Sequence, residues 1–505
     1  MELIAKTFQG LEPLLAQELT ALGANDIQIG RRMVSFTGDK AMLYRANFCL
    51  RTAIRILKPI KHFKARSADD VYNAVQSIDW SDYLTPQTTF AVDSVVFSQE
   101  FKHSKFVAYK VKDAIVDQFR ERSGERPNVS VSNPDIQLHI HISDFDATLA
   151  LDSSGESLHR RGYRQEKVAA PLNEVLAAGI VMMSGWDGKC DFIDPFCGSG
   201  TIAIEAALIA RGIAPGVFRK DYAFEKWPDF DADLFSSVFN DDSSEREFNH
   251  HIYGYDNDPN AVGIALRNIK SAGLSKDITV EMRDFKDFTK PAEKAIIITN
   301  PPYGERISSP DLIGLYHLIG QKLKHELSGG EAWILSYHEE CFEAIGLKPS
   351  LRTPLYNGSL ECEVRKYQLF EGRYNDLRAQ GGDIKNSRER RLMADNRRFK
   401  QNRDTRERHD DDDTRDFGQR GRHFEHGNRH DFGDRRREHD DKRRGERRED
   451  RYRDRRDDRF SDRRDDRRDD RRGSKGGAPF NKHQFKDRNQ RQEARKRYFK
   501  HNEED

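Results

Sequence analysis

Residues 190–212 read CDFIDPFCGSGTIAIEAALIARG and join a short apolar run to a longer one through a glycine-rich turn. The first run predicts a buried strand that ends near Asp194, and the second predicts a helix after Gly200. Gly198 and Gly200 let the backbone approach a ligand closely, and the N-terminus of the helix favours a polar or anionic group. The unit favours a ligand site in an α/β protein, but its spacing also satisfies the dinucleotide fingerprint G-x-G-x-x-G/A, and a tight strand-to-helix turn without a ligand is the other alternative.

The chain around this unit alternates between strands and helices from about residue 171 onward. Further strands are predicted in HIYGYD, ITVEMRDF, AIIIT, EAWILS and VRKYQLFEG. Helices are predicted in PLNEVLAAGIVMMSG, PNAVGIALRNIKSAG and LIGLYHLIGQKLKHEL. This order predicts a mainly parallel sheet with helices on both faces, and ligands of such sheets bind beyond the carboxyl ends of the strands. Residues 213–250 form an insertion without clear periodicity.

Acidic residues follow the next two predicted strands. Asp256 ends the strand HIYGYD, where a carboxylate could accept both hydroxyl groups of a ribose. Asp258 competes for that role, or it caps the helix that begins at Pro259. Asp284 follows the strand after that, and its carboxylate could accept from an adenine amino group or serve only as a cap.

The loop NPPYGERI, residues 300–307, follows the apolar strand AIIIT. Its two prolines exclude a helix, and their fixed φ and missing N–H groups hold an acceptor still. A nucleobase amine is a poor nucleophile because its lone pair is delocalised into the ring. The Asn300 side-chain oxygen and the Pro301 carbonyl could each accept a hydrogen bond from one N–H of the amine. These two hydrogen bonds would let the amine nitrogen become pyramidal. Tyr303 offers a flat face on which an extruded base could stack, a contact worth about 1–3 kcal/mol. The loop therefore predicts a binding site for the exocyclic amine of a nucleobase.

The glycine turn, the strand-end acids and NPPY resemble the motifs of class I S-adenosylmethionine-dependent methyltransferases that methylate amino groups. With LHRRGYR and APLNEVLAAGIV added, the chain resembles the bacterial 23S rRNA guanine-N2-methyltransferase family. The resemblance implies a Rossmann-like domain over residues 156–374 that transfers a methyl group from S-adenosylmethionine to the N2 amine of a guanine in 23S rRNA. The residues implied to contact the cofactor are Asp194, Phe196, Gly198, Gly200, Asp256 and Asp284. The residues implied to bind the target amine are Asn300, Pro301, Pro302 and Tyr303.

Two α+β units precede this domain. Residues 1–60 predict the order strand, helix, strand, strand, helix, strand, with a hairpin that turns at Gly30, and they resemble a ferredoxin-like domain. Residues 61–155 resemble the THUMP module of RNA-modifying enzymes, which implies that they bind RNA. His139 and His141 share one face of a predicted strand and are expected to face solvent.

Two basic segments point to RNA as the partner. Arg160, Arg161 and Arg164 surround Gly162 and Tyr163, and they form either a solvated basic linker or a strip that contacts phosphate. Residues 375–505 carry 43 Lys and Arg against 33 Asp and Glu, which leaves 43 against 52 for the rest of the chain. We expect this tail to be disordered and to hold RNA loosely, or to act only as a solubilising segment.

Composition narrows the class of protein. No apolar run approaches the length needed to cross a bilayer, and the N-terminus lacks the basic lead of a secretory signal. The five cysteines form no C-x-x-C pair, so we expect a cytoplasmic protein without a disulfide framework or a metal site. Separately, we expect a monomer. Alternative functions are methylation of guanine N2 in tRNA or of adenine N6, a dinucleotide oxidoreductase, and an RNA-binding ribosome-assembly factor without essential turnover.

Overall fold

The computed structural model describes residues 1–166, 168, 171–304, 311–358, 360–370 and 372. The tail predicted over residues 375–505 lies outside the described residues, so its predicted disorder and RNA-holding role stay predictions.

The N-terminal half forms one eight-stranded sheet in the order β2-β3-β1-β4-β8-β7-β5-β6. Its strands are β1 (Glu2–Lys6), β2 (Asn25–Gly30), β3 (Met33–Thr37), β4 (Arg55–Lys64), β5 (Thr89–Phe97), β6 (Asn128–Val129), β7 (Ile136–Ser143) and β8 (Asp146–Asp152). Its helices are α1 (Glu12–Ala21), α2 (Lys40–Cys49), α3 (Ala68–Gln76) and α4 (Ser104–Ser123). The predicted mixture of helices and strands is confirmed in both units.

Local chemistry explains where several of these elements begin and end. Ser67 caps α3 by accepting from the Asp70 backbone N–H at 3.2 Å, and the Asp70 carboxylate accepts in return from the Ser67 backbone N–H at 2.9 Å. Gly124 ends α4 in the left-handed conformation that glycine adopts without strain. The first hairpin turns through residues 31–32, with Arg32 at φ 56°, rather than at the predicted Gly30.

Strand β4 continues across residue 60, where the sequence placed a domain boundary, although its pairing with β8 shifts register between Pro59 and Lys61. It pairs antiparallel with β1 on one side and with β8 on the other. The ferredoxin-like and THUMP-like segments therefore share one continuous hydrogen-bonded sheet, and the division of the chain into domains stays a prediction.

The second half forms a seven-stranded sheet in the order β11-β10-β9-β12-β13-β15-β14. Its strands are β9 (Asp191–Asp194), β10 (Ile252–Asp256), β11 (Ile278–Met282), β12 (Ala295–Thr299), β13 (Glu331–Ser336), β14 (Leu351–Asn357) and β15 (Leu360–Gln368). Its helices are α5 (Glu174–Ser184), α6 (Thr201–Ala210), α7 (Ala232–Phe239), α8 (Pro259–Ser271), α9 (Leu312–His325) and α10 (Glu339–Ile345). Strands β9 to β13 are parallel neighbours and β15 is antiparallel, which confirms the predicted α/β class.

Helices cover both faces of this sheet. Phe192 and Ile193 are neighbours on β9, are both fully buried, and pack in two separate apolar clusters. One cluster contains residues of α5, α6 and α8, and the other contains residues of α9 and α10. Because side chains alternate across a strand, the two clusters lie on opposite faces, as a parallel sheet buried on both sides requires.

The insertion at residues 213–250 carries the short helix α7, which the sequence pattern did not reveal. This helix packs against α2 of the N-terminal half. The Tyr44 ring of α2 lies 4.6 Å from the Phe224 ring and 5.6 Å from the Phe235 ring, and its hydroxyl accepts from the Asp231 backbone N–H at 3.0 Å. The insertion thus attaches the first sheet to the second half of the chain.

None of the helices among the described residues is both long enough and apolar enough to span a membrane.

Candidate active site

Two adjacent parallel strands end with unpaired polar atoms at the point where the strand order reverses. Asp194 ends β9 and is 1% exposed, and its Oδ1 accepts from the Thr299 hydroxyl of β12 at 2.6 Å. Asn300 directly follows Thr299. The Asp194 Oδ2 and the Asn300 Oδ1 are both buried and have no hydrogen-bond partner among the described residues. Buried polar atoms without a partner are costly, so a ligand that brought hydrogen-bond donors to this reversal point would satisfy both oxygens.

Burial dominates the electrostatics of Asp194. The pKa of this carboxyl is raised to about 7, chiefly by removal from water and to a smaller extent by the nearby Asp256. The hydrogen bonds from Thr299 and from the Phe196 backbone N–H oppose the rise. A carboxylate in this state favours a cationic partner, because a positive charge beside it would lower its pKa again.

The glycine turn predicted from the sequence is present between β9 and α6. Gly198 has φ 54° and donates its backbone N–H to the Asp256 Oδ2 at 2.9 Å. A Cβ atom placed on Gly198 would meet nothing within 4 Å, so open space lies beside the loop. Gly200 has φ 79° and begins α6, where its Cβ position would lie 3.3 Å from the Ala265 side chain of α8. Gly198 therefore faces the ligand space, whereas Gly200 permits helix packing.

The geometry separates the two acids that competed for the ribose. Asp258 caps α8 by accepting from the Asn260 backbone N–H at 2.9 Å. Asp256 accepts from the backbone N–H groups of Gly198 and Asp258, and burial raises its pKa. Because Asp256 contacts the glycine turn directly, it is the acid that adjoins the ligand space.

Asp284 lies at the outer end of the same rim and is largely satisfied. Its carboxylate caps a short 3₁₀ helix by accepting from the Lys286 backbone N–H at 3.0 Å, and this hydrogen bond lowers its pKa. The Phe285 ring beside it lies 4.8 Å from the Phe196 ring, tilted by 34°. These two contacting rings form an apolar wall between the glycine turn and Asp284.

The NPPY residues follow β12 as predicted. Pro301 is buried, and Pro302 and Tyr303 are half-buried. The Tyr303 hydroxyl accepts from the Asn357 Nδ2 at 3.1 Å. Sequence reasoning missed Asn357, because a single amide at the end of β14 carries no motif. The rest of the predicted loop, residues 305–307, lies outside the described residues.

The three linker arginines do not form the predicted strip. Arg160 is exposed and pairs with Glu156 at 2.6 Å. Arg161 is 2% exposed, and its guanidinium donates to the Arg51 and Leu158 carbonyls and lies 3.4 Å from Glu205. The Arg164 side chain is 9% exposed. Burial and internal partners correct the proposed RNA contact for Arg161 and Arg164, so it remains a proposal for Arg160 alone.

The expectation that both strand histidines face solvent is wrong for His139. It is 8% exposed, and burial lowers its pKa to about 3, with a smaller contribution from the positive charge of Lys6. Within the described part of the chain, no three His, Cys, Asp or Glu side chains lie close enough together to hold a metal ion.

Comparison with known proteins identifies the family of this chain. A family model described as an RMKL-like methyltransferase domain matches residues 161–366. A THUMP domain model matches residues 65–152, and an RlmL ferredoxin-like domain model matches residues 2–57. The candidate RNA methyltransferase slr0064 of Synechocystis sp. is 39% identical over 369 residues, which cover 72% of this chain and 96% of that protein. The chain belongs to the RMKL-like methyltransferase family.

Other family relatives are longer. The protein named ribosomal RNA large subunit methyltransferase K/L of Syntrophotalea carbinolica is 39% identical over 379 residues, which cover 72% of this chain but 53% of that protein. Its namesake in Vibrio campbellii is 38% identical, again over 53% of its length. This RMKL-like chain therefore spans about half the length of those relatives.

Two solved structures show the same architecture. SMU.472, a candidate methyltransferase crystallised with S-adenosylhomocysteine (SAH), has a TM-score of 0.67 and 31% identity, over 74% of this chain and 98% of that one. A protein of Listeria monocytogenes, titled a predicted N6-adenine-specific DNA methylase, has a TM-score of 0.66 and 30% identity, over 72% of this chain and 95% of that one.

Proposed function

We propose that this RMKL-like protein transfers a methyl group from S-adenosylmethionine to the exocyclic N2 amine of a guanine in 23S rRNA. The observation that carries the proposal is the buried Asn300 Oδ1, which has no partner among the described residues and lies at the strand end next to the glycine turn. A substrate amine that donates a hydrogen bond to the Asn300 Oδ1 would give this oxygen the partner that it lacks.

The residues at the rim fit S-adenosylmethionine. The unpaired Asp194 Oδ2 suits a cationic group of the cofactor, and Asp256 beside Gly198 suits its ribose hydroxyls. The open space at Gly198 leaves room for close approach, and the wall of Phe196 and Phe285 suits its adenine. When bound, the cofactor supplies a methyl group on a positively charged sulfur.

The chain's own residues prepare the amine. The Asn300 Oδ1 and a proline carbonyl each accept a hydrogen bond from one N–H of the amine. The nitrogen then becomes pyramidal, and its lone pair is less delocalised into the ring. The amine nitrogen then forms a bond to the methyl carbon while the bond from that carbon to sulfur breaks, and the nitrogen loses one proton to water. No strong base is required, because the proton leaves after the nitrogen has become cationic. Tyr303 stacks on the base, and its hydroxyl accepts a hydrogen bond from Asn357 that orients the ring.

The choice of RNA rests on the N-terminal half and on the relatives. THUMP and RlmL ferredoxin-like models match residues 65–152 and 2–57, and the K/L relatives are named for ribosomal RNA of the large subunit. On this proposal the protein acts as a cytoplasmic monomer, with Arg160 and the tail as further RNA contacts.

Adenine N6 is the second candidate target, because the Listeria protein is named as a predicted N6-adenine-specific DNA methylase. Mass mapping of rRNA and tRNA nucleosides from cells with and without the protein separates the candidates. Loss of one N2-methylguanine in 23S rRNA supports the proposal. Loss of an N6-methyladenine, or of a tRNA modification, overturns the assignment of the target.

A function as an RNA-binding assembly factor is tested by complementation with Asn300→Ala. If that variant binds RNA, makes no modified nucleoside and yet restores ribosome assembly fully, the essential role is binding rather than methyl transfer. If assembly fails together with the modification, the enzymatic role stands.

A further inference from the structure

We propose that Arg164 is a positioning residue that holds the glycine turn in its cofactor-binding shape. This inference rests on the proposed use of the turn for S-adenosylmethionine. Arg164 belongs to the linker that joins the two halves of the chain, for which the sequence left open a solvated basic segment or a strip that contacts phosphate. Its side chain is 9% exposed, so its guanidinium is turned into the protein and away from any RNA phosphate.

The guanidinium bridges the middle of the glycine turn to the start of α6. Nη1 donates to the Ser199 Oγ at 2.8 Å, and Nη2 donates to the Thr201 Oγ1 at 2.8 Å. Ser199 lies between Gly198, which faces the ligand space, and Gly200, which begins the helix. Glycines by themselves leave the backbone many conformations, so side-chain contacts at Ser199 and Thr201 restrict the turn where its own sequence does not.

A second clamp acts on the same serine. Asn268 of α8 is fully buried, and its Nδ2 donates to the Ser199 carbonyl at 3.1 Å. The Asn268 Oδ1 accepts from the Gln165 backbone N–H at 2.8 Å, next to Arg164 in the chain. Ser199 is therefore held by its side chain and by its backbone, and both contacts lead to residues 164–165.

The charge of Arg164 is balanced inside the protein. Its Nε donates to the Glu174 Oε1 of α5 at 2.7 Å, and Nη2 also donates to the Leu172 carbonyl at 3.2 Å. Glu174 is 6% exposed, so truncation of Arg164 to alanine would leave a buried carboxylate without a counter-ion and would destabilise the fold. A substitution that keeps the charge is needed to isolate the effect on the turn.

Arg164→Lys provides that substitution, because lysine keeps a positive charge for Glu174 but cannot reach both hydroxyl groups with a planar fork. Arg267→Lys is the matched control. Arg267 of α8 pairs with Glu166 of the same linker at 2.7 Å, but both side chains are half exposed and neither contacts the turn. Thr201→Val, which removes one acceptor and leaves the Arg164–Glu174 pair intact, is a second probe in case Arg164→Lys fails to fold.

The experiment measures the dissociation constant of SAH by calorimetry on the full chain, together with the melting temperature, RNA affinity, kcat and the KM for S-adenosylmethionine. Loss of one or two buried hydrogen bonds to the turn predicts SAH affinity about five- to thirty-fold weaker in Arg164→Lys. The KM for S-adenosylmethionine rises in parallel, and kcat at saturation changes less than threefold. Arg267→Lys keeps the parental affinity, and Thr201→Val loses about five-fold.

Unchanged SAH affinity in folded Arg164→Lys and Thr201→Val would overturn the positioning role. So would a loss of RNA affinity in Arg164→Lys without a loss of SAH affinity, because Arg164 would then serve the RNA after all. Failure of the proposed function has a different signature: either the parental protein binds no SAH, or it binds SAH and methylates no RNA amine.

Discussion

The inner and outer parts of the rim at the carboxyl ends of the strands use the same residue types in opposite ways. At the inner part, where β9 and β12 meet, Asp194 and Asn300 each keep a buried oxygen without a partner among the described residues. At the outer part, Asp258 and Asp284 accept from backbone N–H groups two residues further on and cap short-range structure. A satisfied side chain stabilises its own chain, whereas an unsatisfied buried one is a cost that a ligand can remove.

The difference also appears in the acid–base properties of the two parts. Burial raises the pKa of Asp194 to about 7, whereas hydrogen bonds from the cap lower the pKa of Asp284. Residue type and position after a strand do not distinguish these cases. Hydrogen-bond satisfaction does, and it divides the rim into an inner part with unpaired buried oxygens and an outer part whose acids cap helices, while the predicted adenine contact of Asp284 stays a prediction.

The largest effect is expected for Asn300→Ala. Removal of one oriented acceptor for the reacting amine should lower kcat by about 10²–10³-fold. The SAH affinity and the melting temperature should stay close to parental, because the Asn300 Oδ1 has no partner to lose among the described residues. Single-turnover methylation of 23S rRNA fragments measures the effect. A variant that retains most of its turnover would remove Asn300 from the inner rim.

The second effect concerns Asp194 and pH. If cofactor binding needs the carboxylate, SAH affinity in the parental protein should rise about tenfold per pH unit up to about pH 7 and then level off, since burial places the pKa near 7. Asp194→Asn should bind more weakly at pH 8 and show no such slope. Calorimetry between pH 5.5 and 8.5 decides this, and parallel slopes in the two proteins would contradict it.

Asp194 should affect the stability of the fold with the opposite dependence on pH: ionisation that favours cofactor binding should lower the free energy of unfolding. Its pKa in the folded protein lies above the value of about 3.9 for an unfolded chain, so the folded state binds the proton more tightly. The free energy of unfolding should therefore fall as pH rises from about 4 to 7. Asp194→Asn should remove that slope and melt at a higher temperature than the parental protein at pH 8. A lower melting temperature at pH 8 would show that the ionised carboxylate is stabilised after all.

A smaller effect should separate Asp256 from Asp258. Asp256→Asn removes a charge that adjoins the glycine turn and should weaken SAH binding by about tenfold, the size expected for a hydrogen bond to a charged group. Asp258→Asn should stay within about twofold of parental in affinity and in stability, because asparagine caps helices as well as aspartate does. The reverse ranking would move the ribose-binding acid to Asp258 and redraw the border between the two parts of the rim.

The smallest effect is expected for Tyr303→Phe. The ring that stacks on the base is kept and the hydrogen bond from Asn357 is lost, which costs about 1 kcal/mol, or roughly fivefold in the KM for RNA. Asn357→Ala should match it, and the double variant should add little, because both changes remove the same contact. Additive losses would mean that the two side chains act separately.

Much of this arrangement could be predicted from local sequence. The glycine turn, the strand ahead of it and the loop after β12 are continuous stretches whose patterns specify their own structure. The cap at Ser67 and the stop at Gly124 are equally local. The sequence offered Asp258 both as the ribose acid and as the cap of α8, and the structure shows the cap. Residue types alone left the choice between Asp256 and Asp258 open, because it depends on which acid contacts the distant glycine turn.

Contacts between distant parts of the chain were the limit. A cluster of three arginines reads as basic surface, but Arg161 meets Glu205, and Arg164 meets Glu174 and the glycine turn. No spacing in the sequence indicates those acids as partners. His139 was placed in solvent for the same reason, since its burial depends on how neighbouring strands pack around it.

Strand β4 has a consequence for how the two N-terminal modules can be inherited or engineered. Because β4 pairs with β1 through residues 55–57 and with β8 through residues 57–64, separating the two modules within this strand would leave an unpaired sheet edge. The modules should therefore be swapped between relatives only as a pair.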